Sequence, residues 1–272
     1  MFGLENSCFG VQALWMAMEA AELDGFKFLE KTIDEEILRA QAQNILDSYA
    51  HPWDLLAEAL QNSVDAIEQK VAQDRKAKAQ ISIVFNCKLR SVEVSDTGIG
   101  MSSDELKEVL APGKSLKRGK ASLRGEKGVG VSFIVFASNR FRIESSDGKQ
   151  TTSIQIDNAN NWIRGSEPKE PQFTNVNIGE AQQYRGSKTY TRIWIEEIPA
   201  KPDVEEDLFN YTQPRLVYIL RSKTAVGNTF PLFNNDARPA IISRLSFSTS
   251  MTQESKAAAR PSSTHSLRPQ NT

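Results

Sequence analysis

The sequence predicts an α+β fold, a two-layer α/β sandwich in which a mixed, mostly antiparallel sheet is covered by helices on one face. Two observations support this. The order of patterns along the chain is helices, a hairpin, a helix, a loop, an apolar element, several strands and a helix. Strands that follow one another in sequence favour antiparallel pairing over alternating βαβ units. The composition, 39% hydrophobic and 25% charged, is that of a globular protein rather than a disordered chain.

The first elements are helical. A short helix is predicted within residues 11–23. The next helix begins at Thr32, which with Glu35 three residues later has the spacing of a capping box. Pro52 interrupts the helical pattern, and a third helix follows over about 54–73.

A β-hairpin follows these helices. The stretches "ISIVF" and "SVEVSD" alternate in the manner of strands, with a turn near Asn86 between them. A short helix then begins with a second capping box, Ser102 and Glu105, and ends before Pro112 and Gly113.

The second half of the chain is predominantly β. A basic, glycine-rich loop spans 113–130, and the apolar run "VSFIVFAS" after it is either a buried helix or a strand. A helical pattern returns around Pro214. Five strands are predicted between the apolar run and this last helical pattern: "FRIESS", "TTSIQI", "NWIRG", "TNVNI" and "TYTRIWIEEI".

These patterns divide the chain into four parts. Residues 1–34 are predicted to be an N-terminal helical extension, 35–200 the main domain and 201–245 a C-terminal helical extension. Residues 246–272 are rich in Ser, Thr, Gln, Ala and Pro and are predicted to be a disordered tail.

Bulk properties exclude several protein classes. The net charge of -1 provides no overall basic field for nucleic acid, although it leaves nucleic-acid binding open. Two cysteines without a paired spacing argue against a disulfide framework or a zinc site, and make a reducing cytoplasm the expected location. The N-terminus lacks the basic region of a signal peptide, and no apolar run is long enough to cross a bilayer, so no membrane partner is expected.

The helix over 54–73 carries an unusual polar stripe. Glu58, Asn62 and Asp65 recur at helical spacing with the small Ala66 beside them. A solvated surface is the ordinary explanation for such a stripe. The opposite face is apolar and consists of Leu56, Leu60, Val64 and Ile67.

Three glycine-containing stretches have features of phosphate-binding loops. "APGKS" fails as a P-loop because Glu108 stands where the first glycine is required. "SDTGIGMSSDEL" fails as a dinucleotide fingerprint because Ser103 takes the third glycine position. "RGEKGVGVSF" has Gly-x-x-Gly-x-Gly order, which alone is a weak signal.

The ordered combination is far more specific than its parts. An E-x-x-x-N-x-x-D-A helix precedes a strand ending in D-x-G-x-G, and a Lys- and Ser-containing loop then closes on G-x-K-G-x-G. Over residues 35–200 the chain resembles the GHKL superfamily, which includes DNA gyrase, ninety-kilodalton heat-shock chaperones, histidine kinases and mismatch-repair ATPases. The resemblance implies a Bergerat-fold ATP-binding domain. "GKSLK…GEKGVGVSF" is most similar to chaperone-like and MORC-like members, and "GVGVS" also resembles gyrase.

The resemblance implies roles for the helix stripe. Glu58 would orient and deprotonate the water that attacks the γ-phosphate. Asn62 would coordinate Mg²⁺ through its carbonyl oxygen. Asp65 would face the glycine turn or the nucleotide, with a salt bridge to Lys127 as the alternative. Ala66 would leave room for adenine.

The resemblance also implies an adenine pocket. Asp96 would accept a hydrogen bond from the N6 amino group, and an Asx-turn is the alternative role for this residue. Gly98 and Gly100 would let the backbone approach the base, and Met101 would form an apolar wall. Thr191 would contact the adenine site through water, although Tyr190 replaces the glycine that usually precedes this threonine.

The basic loop 113–130 would be the lid over ATP. Its position before a glycine-rich turn favours the helical interpretation of the apolar run that follows. A nucleic-acid patch is the alternative. The loop residues implied in nucleotide binding are Lys114, Ser115, Lys127, Gly128, Val129 and Gly130.

The expected function is Mg²⁺-dependent binding and slow hydrolysis of ATP, with lid closure as a conformational switch towards a second subunit or a downstream partner domain. A non-hydrolysing ATP-gated scaffold is one alternative. A histidine kinase is another, but neither His51 nor His265 stands where a phosphoacceptor is required. Chaperone, DNA-transaction and defence roles all remain open.

Overall fold

The structure is a computed structural model that describes residues 35–110, 130–165, 171–200, 206–229, 242–247 and 264–266. The predicted helix within 11–23, the Thr32 capping box, most of the lid 113–130 and most of the tail lie outside these ranges.

Six α-helices lie within the described residues. Two short 3-10 helices, Leu208–Asn210 and Ala225–Thr229, flank the last of them. The α-helices are α1 (Glu35–Asp47), α2 (Asp54–Gln73), α3 (Ser103–Leu110), α4 (Gly130–Phe136), α5 (Ala159–Arg164) and α6 (Gln213–Lys223).

One mixed sheet, with eight strands in the described part of the chain, forms the second layer. The strands are β1 (Gln80–Asn86), β2 (Ser91–Asp96), β3 (Arg140–Asp147), β4 (Gln150–Asp157), β5 (Gln172–Glu180), β6 (Thr189–Glu196), β7 (Ile242–Phe247) and β8 (Thr264–Ser266). Their order in the sheet is β5-β4-β3-β6-β2-β1-β7-β8. Only the β1–β7 pair is parallel. The predicted α+β architecture with a mostly antiparallel sheet is therefore confirmed.

The core lies between α2 and one face of the sheet. Alternating positions of the strands point inward, since successive side chains of a strand face opposite sides. The apolar stripe predicted for α2 packs on that face, with Leu56, Leu60, Val64 and Ile67 at most 1% exposed. The strands contribute the other half of the core: Ile81, Ile83, Phe85, Val92, Val94, Phe141, Ile143, Ile154, Ile156, Ile193 and Ile195.

Two of the short helices agree with the sequence analysis. At the start of α3, the N–H and hydroxyl of Ser102 each donate to Glu105 Oε2 at 2.9 Å, and the Glu105 N–H donates back to Ser102 Oγ at 3.3 Å. This is the predicted capping box. The apolar run after the glycine-rich loop is the helix α4, and its residues 132–136 are all buried.

The predicted strand at "NWIRG" is wrong, because residues 159–164 form the helix α5. Asn158 precedes it in a left-handed conformation, with φ of 68°. The Asn160 side chain donates to the carbonyl of Phe136 at 2.7 Å, and Trp162 and Ile163 are buried. Trp and Ile favour strands on a half-buried pleated surface, but here tertiary packing against α4 decides the conformation.

The sheet also extends beyond residue 200, where no strand was predicted. The strand β7 lies at the end of the segment predicted to be a helical extension, and β8 lies within the predicted disordered tail. β7 pairs with β1 over Gln80–Phe85, and β8 pairs with β7. The helix predicted around Pro214 is present as α6, with the proline in its first turn, where a missing N–H costs no hydrogen bond.

None of the helices in the described part of the chain combines the length and the apolarity that a membrane span requires.

Candidate functional site

A row of polar side chains crosses the inner face of the sheet at one end. Asp96, Thr191, Ser145 and Thr152 are paired in register across β2, β6, β3 and β4. Asp96 is 4% exposed, and Ser145 and Thr152 are fully buried. Burying polar groups is costly unless they find partners, so this row indicates a site rather than ordinary core. The next inward-facing row is entirely apolar: Val94, Ile193, Ile143 and Ile154.

The Asp96 carboxylate is the most perturbed group in this row. Burial raises the pKa of Asp96 to about 7. Hydrogen bonds from the Gly98 N–H, at 2.8 Å, from the Ser63 side chain and from the Thr191 backbone act in the opposite direction, as does the charge of Lys70. A buried carboxyl that titrates near neutral pH, at the edge of a polar row, is typical of functional sites.

Hydroxyl groups connect the rest of the row to the turn after β2. Ser145 Oγ donates to the Tyr190 carbonyl at 2.9 Å and accepts the Met101 N–H at 2.9 Å. Thr191 Oγ1 lies 2.9 Å from Ser145 Oγ. Thr152 Oγ1 is buried and has no hydrogen-bond partner among the described residues. Thr191 and Met101 therefore lie around Ser145, a residue that sequence analysis did not select.

The turn after β2 packs directly on α2. A Cβ at Gly98 would lie 2.6 Å from Ala66 Cβ, and the Ile99 N–H donates to the Ala66 carbonyl at 3.2 Å. The small residue in the helix stripe therefore permits close approach of the turn. Its proposed proximity to adenine remains a prediction.

Gly100 occupies a position that requires glycine. Its φ is +67°, and a Cβ there would lie 1.8 Å from the Ser146 carbonyl oxygen. Both features would strain any L-residue at this position.

Gly100→Ala is therefore expected to destabilise the fold by about 3 kcal/mol, since a backbone carbonyl cannot move aside as a side chain can. Urea unfolding of the two proteins measures the change. Gly179→Ala is the matched control, because a Cβ at Gly179 meets nothing within 4 Å. Equal unfolding midpoints for the two variants would contradict this assignment.

The helix stripe lies beside the same turn. Asp65 is 1% exposed and accepts a hydrogen bond from Gln61 Nε2 at 2.9 Å, whereas Asn62 is half-buried. Lys127, the alternative salt-bridge partner predicted for Asp65, lies outside the described residues. From Glu58 to Ala66 the helix rises about 12 Å. The stripe thus extends from the Gly98 turn towards α4.

Glu58 lies at the α4 end of the stripe. Its Oε1 accepts a hydrogen bond from the Tyr49 hydroxyl at 3.0 Å. A Cβ at Gly130 would lie 2.1 Å from Glu58 Oε2, so the start of α4 approaches the carboxylate as closely as glycine allows. Among the residues predicted to bind phosphate, Gly130 alone is described. Lys114, Ser115, Lys127, Gly128 and Val129 lie outside the described ranges, and their roles stay predictions.

Lys70 was missed by sequence analysis. It extends the stripe by one turn beyond Ala66, and its Nζ donates to the Thr97 carbonyl at 2.7 Å, to Ser187 Oγ at 2.6 Å and to the Thr189 carbonyl at 3.4 Å. Burial lowers the pKa of Lys70, and the nearby charge of Asp96 acts against this. The ammonium therefore connects the end of α2 with the end of β2 and the start of β6, two of the four strands of the polar row.

The unusual Tyr190 does not intrude on this row. Its side chain faces the other side of the sheet from its neighbour Thr191, and its hydroxyl donates to Glu144 Oε1 at 3.0 Å. Thr191 therefore keeps its place opposite Asp96 despite the departure from the family pattern.

Residues 49–190 match the family model described as histidine kinase-, DNA gyrase B- and HSP90-like ATPase. The match covers just over half of the chain. The chain therefore belongs to this family, the GHKL-type ATPases, and membership supports ATP as its ligand. No curated protein matches the chain. The similarity to MORC proteins in particular remains a prediction.

The described residues suit ATP and magnesium. The partnerless Thr152 hydroxyl and the buried Asp96 carboxyl, whose pKa is raised to about 7, are polar groups that can hydrogen-bond with a purine. Within the described ranges there is no cluster of three His, Cys, Asp or Glu side chains that could hold a metal. An amide oxygen such as that of Asn62, with phosphate and water as further ligands, is a donor set that Mg²⁺ accepts.

Proposed function

We propose that this protein binds ATP together with Mg²⁺ and hydrolyses the nucleotide slowly. The observation that supports the proposal is the contact of α2 with two other elements of the site. α2 meets the turn after Asp96 at Ala66, and it meets the start of α4 at Glu58. One extended nucleotide can lie along this helix, with its base at the first contact and its phosphates at the second.

In this proposal the polar row binds the adenine base of ATP. The Gly98 N–H already occupies Asp96 Oδ1, so the other carboxylate oxygen accepts the adenine N6 amino group. Thr191 contacts the base through water, and Met101 covers one side of it. Because the Asp96 side chain is buried, a base without a donor at this position would lose this hydrogen bond where water cannot replace it, which is costly.

The phosphates extend towards α4 and the loop before it. Asn62 offers its carbonyl oxygen to Mg²⁺, which when bound supplies positive charge to neutralise the phosphate oxygens. The loop residues Lys114, Ser115 and Lys127 contribute further positive charge and a hydroxyl. The backbone N–H groups of residues 128–130 would donate hydrogen bonds to the phosphates.

Glu58 acts as the general base. As a water oxygen forms its bond to the γ-phosphorus, the carboxylate accepts the proton of that water, and the bond between the γ-phosphorus and the bridging oxygen breaks to release ADP. The products are ADP and inorganic phosphate. Because positioning and electrostatics carry most of such a reaction, a slow turnover is expected until a partner completes the site.

The proposed output is a change of conformation. Closure of the loop 113–130 over ATP would reshape a surface that meets a second subunit or a downstream domain. Gly130, the last residue of this loop, lies directly against Glu58, the proposed general base.

The test is to measure ATP binding and steady-state phosphate release on the same preparation, with and without Mg²⁺. Magnesium-dependent binding with slow phosphate release is the expected result. Binding without release would favour the ATP-gated scaffold, and absence of binding would contradict the proposal.

A further inference from the structure

We propose that Tyr49 is a positioning residue, which holds the Glu58 carboxylate in the orientation needed to accept a proton from water. This inference rests on the proposed function, because it adds a second residue to the same reaction. It starts from the hydrogen bond that the Tyr49 hydroxyl donates to Glu58 Oε1 at 3.0 Å. Tyr49 lies in the connection between α1 and α2, so helical spacing does not connect it with Glu58.

The tyrosine ring is itself held in place. It stacks on the Phe133 ring, with centroids 3.6 Å apart and planes inclined by 12°. Phe133 belongs to α4 and is 6% exposed. The ring also borders a small cavity of about 90 Å³, which Leu46 and Leu55 help to line. Stacking fixes the plane of the ring and therefore the position of its hydroxyl group.

The hydroxyl group stays protonated at neutral pH. Burial raises the pKa of Tyr49, and the negative charge of Glu58 raises it further. The phenol therefore remains the donor and the carboxylate the acceptor. A hydrogen bond to a charged group is stronger than one between neutral groups, so this contact can define an orientation.

The two oxygens of Glu58 have different surroundings. Oε1 is held by Tyr49, whereas Oε2 faces Gly130, where a Cβ would be only 2.1 Å away. Without a fixed partner, the terminal torsion of a glutamate is broad. The hydrogen bond from Tyr49 restricts this torsion and keeps Oε2 directed towards Gly130. A small misplacement of a reacting group lowers the rate of reaction strongly.

Tyr49→Phe tests this role, because it keeps the ring stacked on Phe133 and removes only the hydroxyl group. We expect kcat for Mg²⁺-ATP hydrolysis to fall about tenfold, equivalent to about 1.4 kcal/mol. We expect the Kd for ATP to stay within about twofold, since the hydroxyl group contacts the Glu58 carboxylate and not the nucleotide. In a Glu58→Gln background, Tyr49→Phe should cause no further loss, because residues that act as a unit are not additive.

Tyr218→Phe is the matched control, since this tyrosine is 64% exposed and lies on α6. It should keep wild-type kcat and Kd. Full kcat in Tyr49→Phe, with Glu58→Gln inactive, would overturn the inference and leave the proposed function standing. An equal additional loss in the Glu58→Gln background would mark a merely structural role and also overturn it. A wild-type protein without Glu58-dependent turnover would overturn both.

Discussion

Glu58→Gln is expected to retain ATP binding and to lower kcat by about 10²–10³-fold, the usual loss when a general base is removed. The amide keeps the size of the side chain and an oxygen that can accept the Tyr49 hydroxyl hydrogen bond. It cannot accept the proton of the attacking water at neutral pH. The fold and the Gly130 contact should therefore be preserved while the chemical step is lost.

The measurement pairs titration with a non-hydrolysable ATP analogue and steady-state phosphate release. Glu180→Gln, an exposed glutamate on the edge strand β5, is the control for loss of a carboxylate elsewhere and should behave as wild type. Wild-type kcat in Glu58→Gln would remove Glu58 from the proposed mechanism. Loss of ATP binding in this variant would show that the Glu58 side chain contributes to nucleotide affinity and not to the chemical step.

Asp96→Asn is expected to weaken ATP binding by at least about 100-fold, or about 3 kcal/mol. The Gly98 N–H requires an acceptor at the Oδ1 position, so the amide oxygen of asparagine would remain there. The amide NH₂ would then face the N6 amino group of adenine, and two donors would oppose each other in a buried site. Turnover per bound ATP should change far less than affinity.

The same substitution is expected to stabilise the protein without nucleotide at pH 8. The folded-state pKa of Asp96 is raised from 3.8 to about 7, so the folded state binds this proton more tightly than the unfolded state does. Stability from this group is therefore greatest below about pH 4 and falls as pH rises towards 7, by up to about 4 kcal/mol. Asparagine has no charge to desolvate, but its NH₂ group cannot accept the hydrogen bond from the Thr191 backbone. A gain of about 2 kcal/mol at pH 8, about half of the full linkage value, is therefore expected.

Urea unfolding from pH 5 to 8 and ATP titration over the same range check both effects. Wild-type affinity should rise about tenfold from pH 6 to 8 as Asp96 ionises, relative to the Asp96→Asn variant, which cancels the titration of ATP itself. Asp104→Asn, at an exposed position in α3, is the control. Wild-type ATP affinity in Asp96→Asn would contradict the assignment of Asp96 to the adenine base. Parallel stability curves for the two proteins would contradict the raised pKa of Asp96.

Much of the fold could be predicted because the decisive signals are local. The α2 boundaries, the Ser102–Glu105 capping box and the β1–β2 hairpin each depend on residues close in sequence. The architecture followed from the order of these elements. The family motif likewise selected Asp96 and Thr191, which the structure pairs across two strands.

The rest depends on contacts between distant segments. The strand β7 pairs with β1 across more than half of the chain, and nothing in either stretch specifies the other. The helix α5 is too short for periodicity to override the strand preference of Trp162 and Ile163.

Besides Lys70, three further residues of the site were missed by sequence analysis, because their partners are distant in sequence or lie across a turn. Ser145 and Thr152 resemble ordinary strand hydroxyls until the register places them beside Asp96 and Thr191. A polar residue at the inward position of an otherwise apolar alternation was the signal available for both. Tyr49 had none, because it meets Glu58 only through the turn between two helices.

A structure of the protein with Mg²⁺ and a non-hydrolysable ATP analogue tests the central claim most directly. The account predicts one nucleotide along α2, with adenine N6 within hydrogen-bonding distance of Asp96, the metal beside Asn62 and the γ-phosphate next to Glu58. A nucleotide bound elsewhere, or one whose base lies away from Asp96, would contradict it.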